Sequence, residues 1–156
     1  MADLVAELLA IAAALSDRGI DYAVCGGLAV AMHGHVRATR DIDLLVPSAS
    51  ADATLDALAS IGFDLRALPM TFGAGTNAER RVQRVSKAGA NELITVDLIL
   101  VEPSFPAVWS DRMTFARGAV RLPVVSRSGL IAMKRLAGRP QDLADIAALE
   151  VVDEEV

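Results

Sequence analysis

Residues 25–46 read CGGLAVAMHGHVRATRDIDLLV, and this stretch decides the fold. Cys25 closes a short apolar run that starts at Tyr22, and Gly26-Gly27 opens a short helix reaching His33. A basic connector then leads to Asp41-Ile42-Asp43 at the head of a second apolar strand, which Pro47 stops. Side chains alternate along a strand, so Asp41 and Asp43 face one way while Ile42 and Leu44 face the core. Two carboxylates side by side repel unless a cation sits between them. A divalent metal, Mg²⁺ above all, prefers carboxylate oxygens together with phosphate. The pattern predicts metal-assisted phosphoryl or nucleotidyl transfer.

The glycines support that chemistry. A strand turning directly into a helix exposes free N–H groups, and without side chains at Gly26 and Gly27 a phosphate can approach them. A bare Gly-Gly is usually only a turn; this one precedes Asp41 at a distance suited to a short helix and a return to the adjacent strand. A second metal needs another ligand. The candidate is Asp97, the one charge inside the apolar run ITVDLILV. A lone carboxylate there is costly unless it is paired or liganded. If its strand neighbours 42–46, the three acids surround the metals; the alternative is an ion pair with an arginine of the opposing hairpin strand, such as Arg84.

Outward from these acids, residues 3–17 read as a helix, 51–60 as another that Ser48 or Ser50 can cap, and 63–68 as a strand. Met70–Ala78 reads as an exposed loop. Residues 80–87 and 93–101 form a hairpin, 105–111 a short helix and 119–125 a strand. Two helices close the chain, the first at about 128–137 and the second starting at Pro140, with a fraying acidic tail at 153–155. Strands interleaved with helices give an α/β or α+β domain with a mixed sheet. We expect one domain over 1–156, its core at about 20–125 and its C-terminal helices at about 127–152.

Composition narrows the function. Of 156 residues 53% are apolar but only 4% aromatic, so Ala, Leu, Val and Ile must build the core. Mean hydropathy is positive, yet no run of about 18 apolar residues escapes charge, which argues against a membrane span. Acids at Asp3 and Glu7 exclude a signal peptide, and the single Cys25 in an apolar strand reads as a buried small hydrophobe. Both point to the cytoplasm. A net charge of −5 argues against a surface that grips nucleic acid throughout, though not against a local basic cleft. His33 and His35 lack the partners of a zinc site; His33 reads as a donor tying the helix end to the Asp strand, His35 as exposed. Arg37 either braces an aspartate or touches phosphate. Asp142 and Asp145 share a helix face that can receive Lys134 or Arg37.

The order Gly-Gly, helix with His-Gly, Arg-x-Thr-x-Asp-x-Asp and a later strand Asp resembles the nucleotidyltransferase superfamily of the polymerase-β type. Within it the pattern is most similar to the AbiEii/AbiGii-like group, the toxins of type IV toxin–antitoxin systems, and small stand-alone relatives. The residues concerned are Gly26, Gly27, His33, Gly34, Arg37, Thr39, Asp41, Asp43 and Asp97, with Lys134, Arg139, Asp142 and Asp145 near the C terminus. Gln141 departs from that group's usual lysine. The resemblance implies a mixed-sheet nucleotidyltransferase fold flanked by helices. It implies Mg²⁺ held by Asp41, Asp43 and Asp97, with Asp97 helping to deprotonate the acceptor. Gly26, Gly27, Arg37 and Lys134 would face the NTP. The acceptor hydroxyl would belong to tRNA, a protein or a small molecule, and an antitoxin would be the toxin's partner. The rival expectation is a non-catalytic nucleotide- or partner-binding module on the same fold.

Overall fold

The computed structural model describes residues 3–154. Helix α1 (Leu4–Asp17) begins where the Asp3 carboxylate accepts the Ala6 N–H at 3.1 Å, satisfying one of the helix's free donors. Its buried residues Leu8, Ile11 and Leu15 recur at helical spacing on one face. Then come β1 (Ala23–Cys25), α2 (Gly26–Met32), β2 (Asp41–Val46), α3 (Ala51–Ala59), β3 (Leu65–Arg66) and β4 (Met70–Phe72). The hairpin is β5 (Arg80–Ala88) and β6 (Leu93–Leu100). The rest is α4 (Pro106–Ser110), β7 (Met113–Arg117), β8 (Val120–Val124), α5 (Arg127–Ala137) and α6 (Pro140–Glu154).

Among the described residues eight strands form one mixed sheet in the order β3-β5-β6-β2-β1-β8-β7, with β4 also on β5. β2 runs parallel to β6 and antiparallel to β1, and β1 runs parallel to β8. The acids of β2 therefore stand at the end of an interior strand. Aliphatic residues carry the core, as the composition demands: Ile42, Leu44, Val96 and Leu98 are fully buried, each contributing roughly 1.5–3 kcal/mol. Helices α1 and α3 pack on each other, and α5 packs on α4 and α6. Among the described residues no helix is long and apolar enough to cross a membrane.

Several expectations need correction. Met70–Phe72 is not loop but β4, paired with β5 from Met70↔Val82 to Phe72↔Arg80; the exposed turn begins at Gly73. The strand expected over 63–68 shrinks to Leu65–Arg66, and β7 lies in a stretch to which the sequence reading assigns no element. Neither Ser48 nor Ser50 caps α3 through its side chain. Ser50 sits at φ −98°, ψ −1°, because a 3₁₀ turn at Ser48–Ser50 runs straight into the helix, whereas an N-cap needs an extended backbone. Of the acidic tail, α6 includes Asp153 and Glu154, while Glu155 lies outside the described residues. His33 is a structural donor, but its Nε2 donates at 2.8 Å to the carbonyl of Val125, just after β8, rather than to the Asp strand. His35 is half-buried.

Candidate functional site

The parallel register of β2 and β6 places Asp43 beside Asp97 and Asp41 beside Thr95. Neighbouring strands lie about 4.8 Å apart, so two carboxylates share one level of the sheet and Asp41 stands one pleat away. The turn from β1 into α2 presses against them. Gly26 has φ +65°, and a Cβ added there would lie 1.8 Å from Asp43 Oδ2. Any other residue would be strained and would evict the carboxylate. At Gly27 a Cβ would come within 2.6 Å of Thr39 Oγ1, so this second glycine lets the connector before β2 close on the helix. The space left by the two missing side chains is filled by Asp43 and Thr39, and both glycines still line the cleft.

Charge is crowded here. Burial, then the charges of Asp97 and Asp41, push the Asp43 carboxyl up from 3.8 to about 7. Arg84 lies opposite Asp97 in the hairpin and donates through Nε at 2.8 Å and Nη2 at 3.0 Å, with Nη2 also 4.0 Å from Asp41. The alternative partner for Asp97 is therefore present, on the same acids that are candidates for metal. Among the described residues no three acids converge on one point as they stand, and the guanidinium engages Asp97. The donor set nevertheless fits Mg²⁺: three carboxylates, all oxygen ligands, one pushed toward neutrality by burial and by the other two. Replacing Arg84 with glutamine removes a cation that competes with a metal. We expect Mn²⁺, followed by paramagnetic resonance, to bind R84Q about tenfold tighter at low salt, since one charge–charge contact is worth roughly 1 kcal/mol or more. Equal or weaker binding would mean that Arg84 orients the acids for the metal instead.

A second cluster borders the first. Lys134 on α5 is buried, with Nζ 2.9 Å from Asp145 and 3.5 Å from Asp142. Arg37 donates Nε and Nη2 to Asp145 at 2.7 and 2.8 Å, and Arg139 donates Nε to Asp142 at 2.7 Å. Of the two alternatives for Arg37, the brace on an aspartate is the one observed. Guanidinium and ammonium donors hold the Asp145 carboxyl down at about 2 despite its burial, and Arg139 lowers Asp142 likewise.

Both clusters open into one cleft of about 800 Å³. Its lining includes Gly26, Gly27, Arg37, Asp41, Asp43, Asp97 and Lys134, every residue that the sequence singled out for the site. It also includes Arg80, one of the basic residues that could gather in a local cleft, and Met70, Phe72, Val82 and Ile99, which sequence reasoning missed. Only the hairpin register, set by the turn at 89–92, reveals that they share the face of Asp97. A family model for aminoglycoside-2″-adenylyltransferase matches residues 7–97, more than half of the chain and the span from α1 through Asp97. The chain belongs to that family. It is thus an enzyme, a nucleotidyltransferase of the polymerase-β type, and the non-catalytic module is set aside. The matching model is one of antibiotic adenylyltransferases rather than of AbiEii/AbiGii-like toxins.

Solved structures carry the same fold. The lincosamide antibiotic adenylyltransferase LnuA, lincomycin-bound, superposes with TM-score 0.60 at 16% identity, over 94% of this chain and 96% of that one. A putative nucleotidyltransferase from Thermotoga maritima gives 0.61 at 12% identity, over 93% and 91%. ANT(2″)-Ia in complex with adenylyl-2″-tobramycin gives 0.59 at 15% identity, over 96% and 94%. No curated protein matches the chain.

Proposed function

We propose that this adenylyltransferase-family enzyme moves the AMP group of ATP to a hydroxyl of a small molecule, with Mg²⁺. The observation that carries the reading is the register that sets Asp43 beside Asp97, with Asp41 one pleat away and Gly26 holding the backbone clear. Asp41, Asp43 and Asp97 would hold the metal, which supplies charge neutralisation at the phosphate oxygens. Asp97 accepts the proton of the acceptor hydroxyl. Arg84 uses two of the roughly four lone-pair sites of that carboxylate and fixes its plane, leaving the others for the hydroxyl. The hydroxyl oxygen forms a bond to the α-phosphorus. The bond from that phosphorus to the bridging oxygen breaks, and its electron pair leaves with pyrophosphate. Catalysis is positioning plus electrostatics, with no covalent nucleophile; that suits a chain whose Cys25 is buried and whose thiol is pushed well up by burial.

Lys134, Arg37 and Arg139 set three cations against Asp142 and Asp145, leaving one net positive charge toward the triphosphate. The glycine turn at Gly26-Gly27 offers backbone N–H groups on the same side. An RNA or protein acceptor, and a cognate antitoxin, have less support. The cleft of about 800 Å³ suits a nucleotide and a small molecule, and the net charge is −5. The test is α-labelled ATP with Mg²⁺, offered a panel of small hydroxy compounds and, separately, total RNA. Label should pass to small molecules, and Asp41→Asn should reduce it about 10³-fold, since the lost charge stabilisation is worth roughly 4 kcal/mol. Label found only in RNA would overturn the choice of acceptor.

A further inference from the structure

The acceptor wall of the cleft is built from the far side of the same sheet face. Asp97 and Ile99 alternate along β6. Val82 stands opposite Ile99 and Arg84 opposite Asp97 on β5. Beyond them Met70 pairs with Val82, and Phe72 with Arg80. The wall is thus apolar with arginines interleaved. The acids that line the cleft are Asp41, Asp43, Asp97 and Asp142. Asp142 already holds Lys134 and Arg139, and the other three are the proposed metal ligands. No carboxylate of the lining is left for ammonium groups, and Arg80 would repel them.

Arg80 adds a second observation. Its Nε is buried without a hydrogen-bond partner, while its guanidinium lies 5.4 Å from the Phe72 ring centroid. A buried donor left unsatisfied is costly, and Arg80, which lines the cleft, presents the rest of its charge to an anionic ligand. Arg80 and Asp97 stand at the two ends of the wall: Arg80 lies four residues from Arg84, the partner of Asp97, so about 13 Å of strand separates them. Between them lie only Val82 and Ile99 on this face, with Met70 alongside.

We propose that the acceptor is an apolar hydroxy compound carrying an anionic group roughly 10 Å or more from its hydroxyl, and not a polycation. Its anion meets Arg80, its apolar body crosses Val82 and Ile99, and its hydroxyl reaches Asp97. This rests on the nucleotidyl-transfer reading above and names the substrate class of that site. The probes are 10-hydroxydecanoate, its methyl ester and tobramycin, titrated calorimetrically into the full chain with Mg²⁺ near neutral pH. The acid should bind at least about tenfold tighter than the ester, and tobramycin more weakly than either. Arg80→Gln should abolish the acid–ester difference while leaving the ester's affinity unchanged, a result that loss of fold would not produce. Tobramycin binding more tightly than the acid, no acid–ester difference in the wild type, or a difference that survives Arg80→Gln, would overturn the proposal. ATP binding with Mg²⁺ is measured in parallel; its absence would sink the nucleotidyl-transfer reading, whereas the acid–ester ratio still decides what the wall recognises.

Discussion

Asp43→Asn is expected to make the metal-free protein more stable at pH 8 while reducing nucleotidyl transfer about 10³-fold or more. The Asp43 carboxyl is raised from 3.8 to about 7 by burial and by Asp97 and Asp41. Between these two values the folded chain holds a proton that the unfolded chain has shed. Its contribution to stability is therefore complete below the unfolded value and is lost as pH rises through about 7. At pH 8 the folded protein carries a crowded charge that it would be more stable without. Asparagine has the same shape, so the carboxamide still fits beside Gly26, and the repulsion is gone. The gain should be of order 2–4 kcal/mol, a rise in melting temperature of about 5–10 °C, growing from nothing near pH 4 to its full size above pH 7. Mg²⁺ should raise the melting temperature of the wild type and leave that of the variant nearly unchanged. Thermal melts across pH, with and without Mg²⁺, check each part. A variant less stable than the wild type at pH 8 would show that Asp43 is held by partners rather than crowded by charges. Stability sacrificed at a functional site is a common trade.

The parts of the fold legible in the sequence are those where one period dominates. DIDLLV alternates acid and aliphatic at its head, and the structure returns that alternation as half-buried Asp41 and Asp43 around buried Ile42. The strand ITVDLILV announces its cost at Asp97 in the same way. The two strands missed are short and lie at the sheet's margins: β7, MTFAR, has only Phe115 out of full exposure, and β4 has three residues, of which Thr71 and Phe72 are exposed. Little hydrophobic signal survives where one face is wet and the strand is short. Long-range pairing is harder still. The spacing of Asp142 and Asp145 reveals a shared helix face, but which cations reach it depends on how α5 and the connector pack, and Arg37 is 108 residues away from Asp145. Both fates considered for Asp97 are physical: its strand does neighbour β2, and Arg84 does hold it. The sequence offers no means of ranking a metal against an arginine, because each answers the same need for positive charge.

That long-range tie is the basis of the largest expected loss of stability. Asp145 is fully buried and accepts from Arg37 at 2.7 and 2.8 Å and from Gln141 at 3.0 Å, with Lys134 at 2.9 Å. Asp145→Ala leaves Lys134 buried with only Asp142 at 3.5 Å and frees Arg37 from the helix. Removing one partner of a buried ionic network costs about 3–5 kcal/mol, here a fall in melting temperature of roughly 10 °C. The pH dependence is opposite to that of Asp43. Its carboxyl is lowered from 3.8 to about 2, so its contribution is present above the unfolded value and is lost as pH falls through about 2. The wild type should therefore lose stability between pH 4 and pH 2 more steeply than Asp145→Ala, and the two melting curves should converge at the acid end. Parallel curves would mean that the carboxylate does not act through its charge. Activity should fall as well, at temperatures where the variant is still folded. Arg37 begins the connector whose Thr39 closes on Gly27, and that connector sets the angle at which Asp41 and Asp43 enter the cleft. Lys134→Met provides the contrast: it leaves Arg37 on Asp145 and Arg139 on Asp142, so the connector keeps its anchor. It should weaken ATP binding while costing less stability than Asp145→Ala.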